Sequence, residues 1–192
     1  MLIVITAPSG AGKTTIVREL LKQKPDLVFS VSATSRNKRE REIEGQDYYF
    51  ISRSEFEQKV KQNEFVEYEE VHGNYYGTLK DEIGKYIKQG KDVIFDVDVK
   101  GALSIKRIFP HSLTFFIYVS ADDIIARLKK RKTETEEQLK IRIERMKYEM
   151  NFKDKFDNVI NNTNGTQGLQ IAVNEIINII KKTKKSGEIN VN

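Results

Sequence analysis

Short apolar runs alternate with amphipathic stretches of helical period along this chain. Residues 2–6 form an apolar run of strand length, and 14–24 puts Ile16, Val17, Leu20 and Leu21 on one helical face before Pro25 ends it. A second strand is predicted over 28–32. Farther on, Leu79, Ile83, Tyr86 and Ile87 mark a helix closed by Gly90. Strands are predicted over 93–98 and 113–119, the latter leading into a helix through Ile124, Ile125 and Leu128. Strand and helix in alternation predict an α/β fold, a parallel sheet core covered by helices and joined by right-handed crossovers.

Two stretches interrupt that rhythm. Between 33 and 78 lie a polar loop, a short strand at 48–50, a helical 54–62, and two strands at 65–71 and 75–78 around His72, Gly73 and Asn74. A turn of that type predicts antiparallel pairing, so this reads as a small mixed α+β insertion. The second interruption, 129–137, is a charged junction between two helices. Thr133 with Glu136, and Thr135 with Gln138, each offer a capping box for the following helix, whose apolar stripe is Leu139, Ile143, Met146 and Met150.

Composition narrows the class. With 192 residues, 39% hydrophobic and 32% charged, the chain is expected to be a soluble globular protein. No apolar run approaches the ~18 residues of a membrane span, and no leader is recognisable at 2–5, so a cytoplasmic protein without membrane contact is expected. Zero Cys excludes disulfides, thiolate metal sites and a thiol nucleophile, and two His are too few for a His-rich centre. A bound metal must therefore be held by oxygen. The net charge of +5 is concentrated in residues 181–192, which supply +3, and Lys181, Lys182, Lys184 and Lys185 read as a helix end leading into a disordered tail at 186–192. Glu40, Glu42 and Glu44 interleave with the basic loop of Arg36, Lys38, Arg39 and Arg41, which argues against a nucleic-acid partner.

The strongest chemical signal is the run from Ala7 to Thr14, A-P-S-G-A-G-K-T, set between a strand and a helix. Gly10 and Gly12 let backbone N–H groups approach an anion, Lys13 reaches terminal phosphates, and the Thr14 hydroxyl suits Mg²⁺. Ala7 stands where the motif has glycine, which requires that it keep a negative φ. Asp96 and Asp98, two apart at the end of an apolar strand, point to one face, and Asp96 is placed to orient Mg²⁺ through water. Arg36 and Arg39 offer guanidinium forks to a phosphate, with Tyr48 as an added donor. Arg127, Arg131 and Arg142 recur around the second interruption, Arg142 at the border of the apolar stripe.

Together these segments resemble the guanylate kinase family. Pro8-Ser9-Gly10, Ser30-Val31-Ser32, Thr34-Ser35-Arg36, Gly45-Gln46-Asp47-Tyr48, Glu64-Phe65-Val66-Glu67, Gly73 to Thr78, Asp96-Val97-Asp98 and Thr133-Glu134-Thr135-Glu136 carry the resemblance, which extends from about 3 to 180. It implies transfer of the γ-phosphoryl of ATP to GMP, and to dGMP, with Mg²⁺. By resemblance, 1–32, 79–120 and 146–185 form the core, 33–78 binds GMP, and 121–145 is a lid. Ser9, Gly10, Ala11, Gly12, Lys13, Thr14, Thr15, Arg127, Arg131 and Asn162 would then bind ATP. Ser32, Arg36, Arg39, Tyr48, Glu67, Tyr76, Thr78 and Asp98 would bind GMP, and Lys13, Arg36, Arg39, Arg131 and Arg142 would be catalytic. The family usually has glycine at the positions of Ala7, Arg41 and Lys132. A monomer or homodimer fits this reading. Two alternatives remain open on sequence: a non-catalytic module of the same family that binds phosphopeptides, and a related kinase with another phosphate acceptor.

Overall fold

The computed structural model describes residues 1–71, 73–130, 136–163 and 165–187. Five parallel strands make the larger sheet: β1 (Leu2–Thr6), β2 (Leu27–Phe29), β7 (Asp92–Asp96), β8 (Leu113–Tyr118) and β9 (Asn158–Asn161), in the order β2-β7-β1-β8-β9. Side chains alternate between its two faces. Ile3, Ile5, Ile94, Phe115 and Ile117 face one buried cluster, while Leu2, Val4, Val93, Phe95 and Phe116 face the other. Helices α1 (Lys13–Gln23), α5 (Ala121–Lys130), α6 (Glu136–Met150) and α7 (Gly165–Ser186) pack on the first face through Leu20, Ile124, Met146 and Ile176. On the second face α3 (Lys80–Lys88) and α4 (Val99–Ile108) contribute Ile83, Ala102 and Ile105. Burying such aliphatic side chains stabilises the fold by roughly 1.5–3 kcal/mol each. The continuous apolar strands follow from coverage on both faces.

The interruption at 33–78 builds a second, four-stranded sheet. β3 (Ala33–Thr34) pairs with β4 (Tyr49–Phe50) in parallel, and with β6 (Asn74–Leu79) in antiparallel; β6 in turn pairs with β5 (Phe65–Val71). Helix α2 (Arg53–Lys61), capped by the Ser52 side chain accepting from Glu55 N–H, covers it. Its buried centre is small: Ala33, Phe56 and Phe65, with Phe56 stacked on Phe65 at 4.3 Å and on Tyr75 at 5.1 Å between ring centroids.

Several boundaries differ from the sequence expectation. β7 ends at Asp96 because Asp98 leaves the strand and caps α4, its Oδ1 accepting from Gly101 N–H at 2.8 Å. β2 ends at Phe29, although Ser30 N–H still donates to Ile94 O at 2.9 Å. The four C-terminal lysines lie inside α7. The expected caps at Thr133 and Thr135, and residues 188–192 of the expected tail, fall outside the described residues.

Candidate active site

β1 delivers the chain into the loop 7–12, and α1 starts at Lys13. Gly10 and Gly12 hold φ of +90° and +88°, the left-handed region open to glycine. Asn63 is the one non-glycine residue with positive φ among the described residues, so Ala7 meets the requirement that its side chain imposes. The loop is pinned from behind. Ala11 O accepts from Arg127 Nη1 at 3.0 Å and from Asn162 Nδ2 at 2.8 Å, and Arg127 Nη2 donates to Asn162 O at 3.0 Å. A Cβ on Gly12 would stand 3.0 Å from Asn162 Nδ2, so glycine permits this close packing.

The register of the large sheet sets the acidic strand end beside the loop, because Ile5 pairs with Asp96. Lys13 Nζ meets Asp96 Oδ1 at 2.5 Å and donates to Val97 O at 2.8 Å. Thr14 borders the same cleft, which encloses about 460 Å³ and is also lined by Ser9, Thr15, Asp98 and Arg142. That volume is in the usual range for small-molecule sites. Mg²⁺ binds through one or two carboxylates together with substrate phosphates and water. One hydroxyl and one carboxylate beside a phosphate-type loop fit that ion. Among the described residues no group of three or more His, Cys, Asp or Glu could form a closed metal cage.

The small sheet supplies the facing wall through Glu67 and Tyr76, joined by Ser32 and Tyr48 from the residues just before β3 and β4. Glu67 is 9% exposed and accepts from the Thr78 hydroxyl at 2.5 Å. Burial pushes its carboxyl up to about 7; the nearby Asp98 carboxylate adds to the rise, and the Thr78 hydrogen bond and Lys13 oppose it. Arg36 Nε donates to the Tyr76 hydroxyl at 3.3 Å and its guanidinium lies 5.5 Å from the centre of the Tyr48 ring. Burial raises the Tyr48 hydroxyl pKa, with Asp96 adding to it, so this group stays a neutral donor. Glu42 closes the Arg36 fork at 3.0 and 2.8 Å and also accepts from Arg39 N–H at 2.8 Å. A carboxylate thus takes the bidentate geometry that suits a phosphate. The Arg39 side chain borders a second opening of the cleft, which shares Lys13, Thr14 and Asp96 with the first.

A family model described as Guanylate kinase matches residues 1–182. The chain belongs to the guanylate kinase family. A guanylate kinase of Thermotoga maritima is 45% identical over 95% of this chain and 87% of its own length. One from Chlorobium luteolum is 42% identical over 93% and 92%. The crystal structure of guanylate kinase from Anaplasma phagocytophilum superimposes with a TM-score of 0.75 at 26% identity, covering 95% of this chain and 85% of that one. As a member of the guanylate kinase family, the chain is a nucleoside monophosphate kinase with a phosphate-loop parallel core.

Of the residues expected in the site, the structure gathers Ser9, Gly10, Gly12, Lys13, Thr14, Thr15, Asp96, Asp98 and Arg142 with Ser32, Tyr48, Glu67 and Tyr76 around one cleft. Thr78 and Arg36 stand behind that lining, through Glu67 and Tyr76. Arg127, Ala11 and Asn162 meet on the rear of the loop. Arg131 lies outside the described residues. Three participants went unread in the sequence. Glu149 is 5% exposed and accepts from Ser9 N–H, Arg145 contacts both Glu149 and Asp98, and Gly101 faces Glu67. The available signals were the i,i+4 Arg145–Glu149 spacing and a carboxylate next to Met150 of the apolar stripe.

Proposed function

We propose that the chain transfers the γ-phosphoryl group of ATP directly to GMP, and to dGMP, with residues 33–78 holding the acceptor and 121–145 closing as a lid. The observation that carries this reading is the pair of carboxylates, Glu67 and Asp98, in one cleft with the phosphate loop. Guanine offers N1–H and N2–H₂ as donors to them, whereas adenine presents an acceptor at N1. A buried acceptor left unpaired costs about 1–3 kcal/mol, more when charged, which selects the base. Thr78 orients Glu67, and Ser32 borders the base.

The acceptor phosphate would lie among Arg36, Arg39, Tyr48 and Tyr76. No general base is needed, because a phosphate monoester with a second pKa near ~6 is already ionised at neutral pH. The work of the site is to bring two anions into line. Lys13, Arg36, Arg39, Arg131 and Arg142 offset their repulsion and stabilise the charge of a loose transition state. Backbone N–H groups from Ser9 to Thr15 cradle the ATP phosphates. Arg127 and Asn162 serve ATP by fixing the Ala11 carbonyl and so the loop's shape. Mg²⁺, held by the Thr14 hydroxyl and by Asp96 through water, would supply charge neutralisation between the donor phosphates. Closure of 121–145 excludes water, the competing acceptor.

Release of ADP, measured with ATP and Mg²⁺ against GMP, AMP, UMP and CMP, tests the assignment. GMP is expected to be the preferred acceptor by at least about 100-fold in kcat/KM. Equal rates for another monophosphate would reassign the acceptor, and no turnover with any of them would leave a binding module.

A further inference from the structure

α6 places a bridge across the cleft that no sequence motif assigns. The Arg145 guanidinium is shared: Nη2 donates to Asp98 Oδ2 at 2.9 Å and Nε to Glu149 Oε1 at 2.8 Å. The other oxygen of Glu149 accepts from Ser9 N–H of the phosphate loop at 3.1 Å. Asp98 spends its remaining oxygen, Oδ1, on Gly101 N–H. A continuous series of polar contacts therefore joins the loop assigned to ATP with the carboxylate assigned to guanine.

We propose that Arg145 is a positioning residue that sets acceptor specificity and couples the two nucleotide sites. It fixes the Asp98 carboxylate toward the base and, through Glu149 and Ser9, the loop toward the triphosphate. This rests on Asp98 being a reader of the acceptor base. Three features favour a bridge over a surface ion pair. A planar guanidinium serves two carboxylates at once, where an ammonium acts as a single point charge. Glu149 is nearly buried, so its orientation depends on its partners. Arg145 and Glu149 are successive on one helical face, while Asp98 caps a different helix, so the bridge ties α6 to α4 and to the loop together. When guanine engages Asp98, the guanidinium and Glu149 must readjust, and the Ser9 amide with them. By linkage the same coupling runs from ATP to GMP.

The test uses the intact chain with Arg145→Met and Arg145→Lys. KM and kcat are measured for GMP and AMP, and calorimetry gives the affinity of a non-hydrolysable ATP analogue with and without GMP. In the wild type, GMP is expected to change that affinity several-fold. Arg145→Met is expected to raise the GMP KM about tenfold with kcat changed less than threefold, to narrow the GMP-over-AMP preference, and to abolish the coupling. Arg145→Lys is expected to recover part of the GMP affinity and none of the coupling. Wild-type selectivity and coupling in Arg145→Met would overturn the proposal alone, as would full coupling in Arg145→Lys or its absence from the wild type. A wild type that prefers AMP or shows no preference would overturn the reading of the base site and this proposal with it.

Discussion

The phosphate loop and the small-sheet wall of the same cleft are held by different means. Around the loop, backbone geometry and apolar burial dominate: Gly10 and Gly12 turn the chain, Ile16, Ile124 and Leu128 are buried beneath it, and two donors fix the Ala11 carbonyl. On the facing wall the buried centre is three residues, and ionisable side chains set the geometry through Arg36–Glu42, Thr78–Glu67 and Arg36–Tyr76. A site built from backbone and packing is stiff and blind to the base. One built from carboxylates and hydroxyls discriminates, and it is sensitive to pH and to single substitutions. In the proposed reading, much of the selectivity would therefore come from the wall whose core is thinnest, with Asp98 contributed by the start of α4.

Four substitutions test that contrast. Lys13→Ala should lower kcat by about 10³-fold with little change in melting temperature, since it removes the charge proposed to meet the phosphates and no buried apolar surface. Wild-type-like turnover would break the assignment of the stiff side. Phe56→Ala removes the ring stacked between Phe65 and Tyr75 and should destabilise the small sheet by about 3 kcal/mol in urea titration. Binding of GMP should suffer far more than binding of an ATP analogue; equal losses would mean that the two regions are not separable.

Glu67→Gln should raise the KM for GMP roughly 10- to 100-fold while sparing that for ATP. It also carries a pH signature. The Glu67 carboxyl moves from 4.5 to about 7 on folding, so the folded state binds its proton more tightly, and the wild type loses stability as pH rises from about 4.5 through 7. Relative to wild type, the Gln variant should gain up to about 3 kcal/mol at pH 8 and nothing below pH 4.5. In the wild type, GMP binding should weaken below about pH 7 as Glu67 takes up its proton, and the part of this limb above the phosphate's own second pKa near ~6 should vanish in the variant. The smallest effect is expected from Gly101→Ala. A Cβ there would stand 2.8 Å from Glu67 Oε2, so the GMP KM should rise several-fold. Melting temperature should barely change, because about 1 kcal/mol of helix propensity offsets the crowding.

The stiff half was the more legible in sequence for the same reason that it is stiff. A strand, a glycine-bearing loop and a helix are adjacent in the chain, so their spacing alone displays the Ala7 to Thr14 loop, and the alternating runs display the parallel sheet. Asp98 misled the strand boundary, since a carboxylate two positions beyond Asp96 reads equally as a strand end or a helix cap, and only the Gly101 N–H contact decides. α4 went unassigned because Gly101 and Ser104 interrupt its apolar pattern. Arg36 and Tyr76 meet only after β3 pairs with β6, forty residues away. Arg145 and Glu149 display only their i,i+4 spacing in the sequence, because their other partners, Asp98 and the Ser9 amide, come from distant elements. Long-range pairs of charged groups leave no local period to read.

Calorimetric titration of GMP and AMP into the wild type and Glu67→Gln at pH 8 tests the base-reading claim most directly. The account predicts binding of GMP to the wild type, at least tenfold weaker binding to Glu67→Gln, and weak or no binding of AMP to both. Comparable affinities of the wild type for GMP and AMP, or GMP binding unchanged by Glu67→Gln, would contradict it.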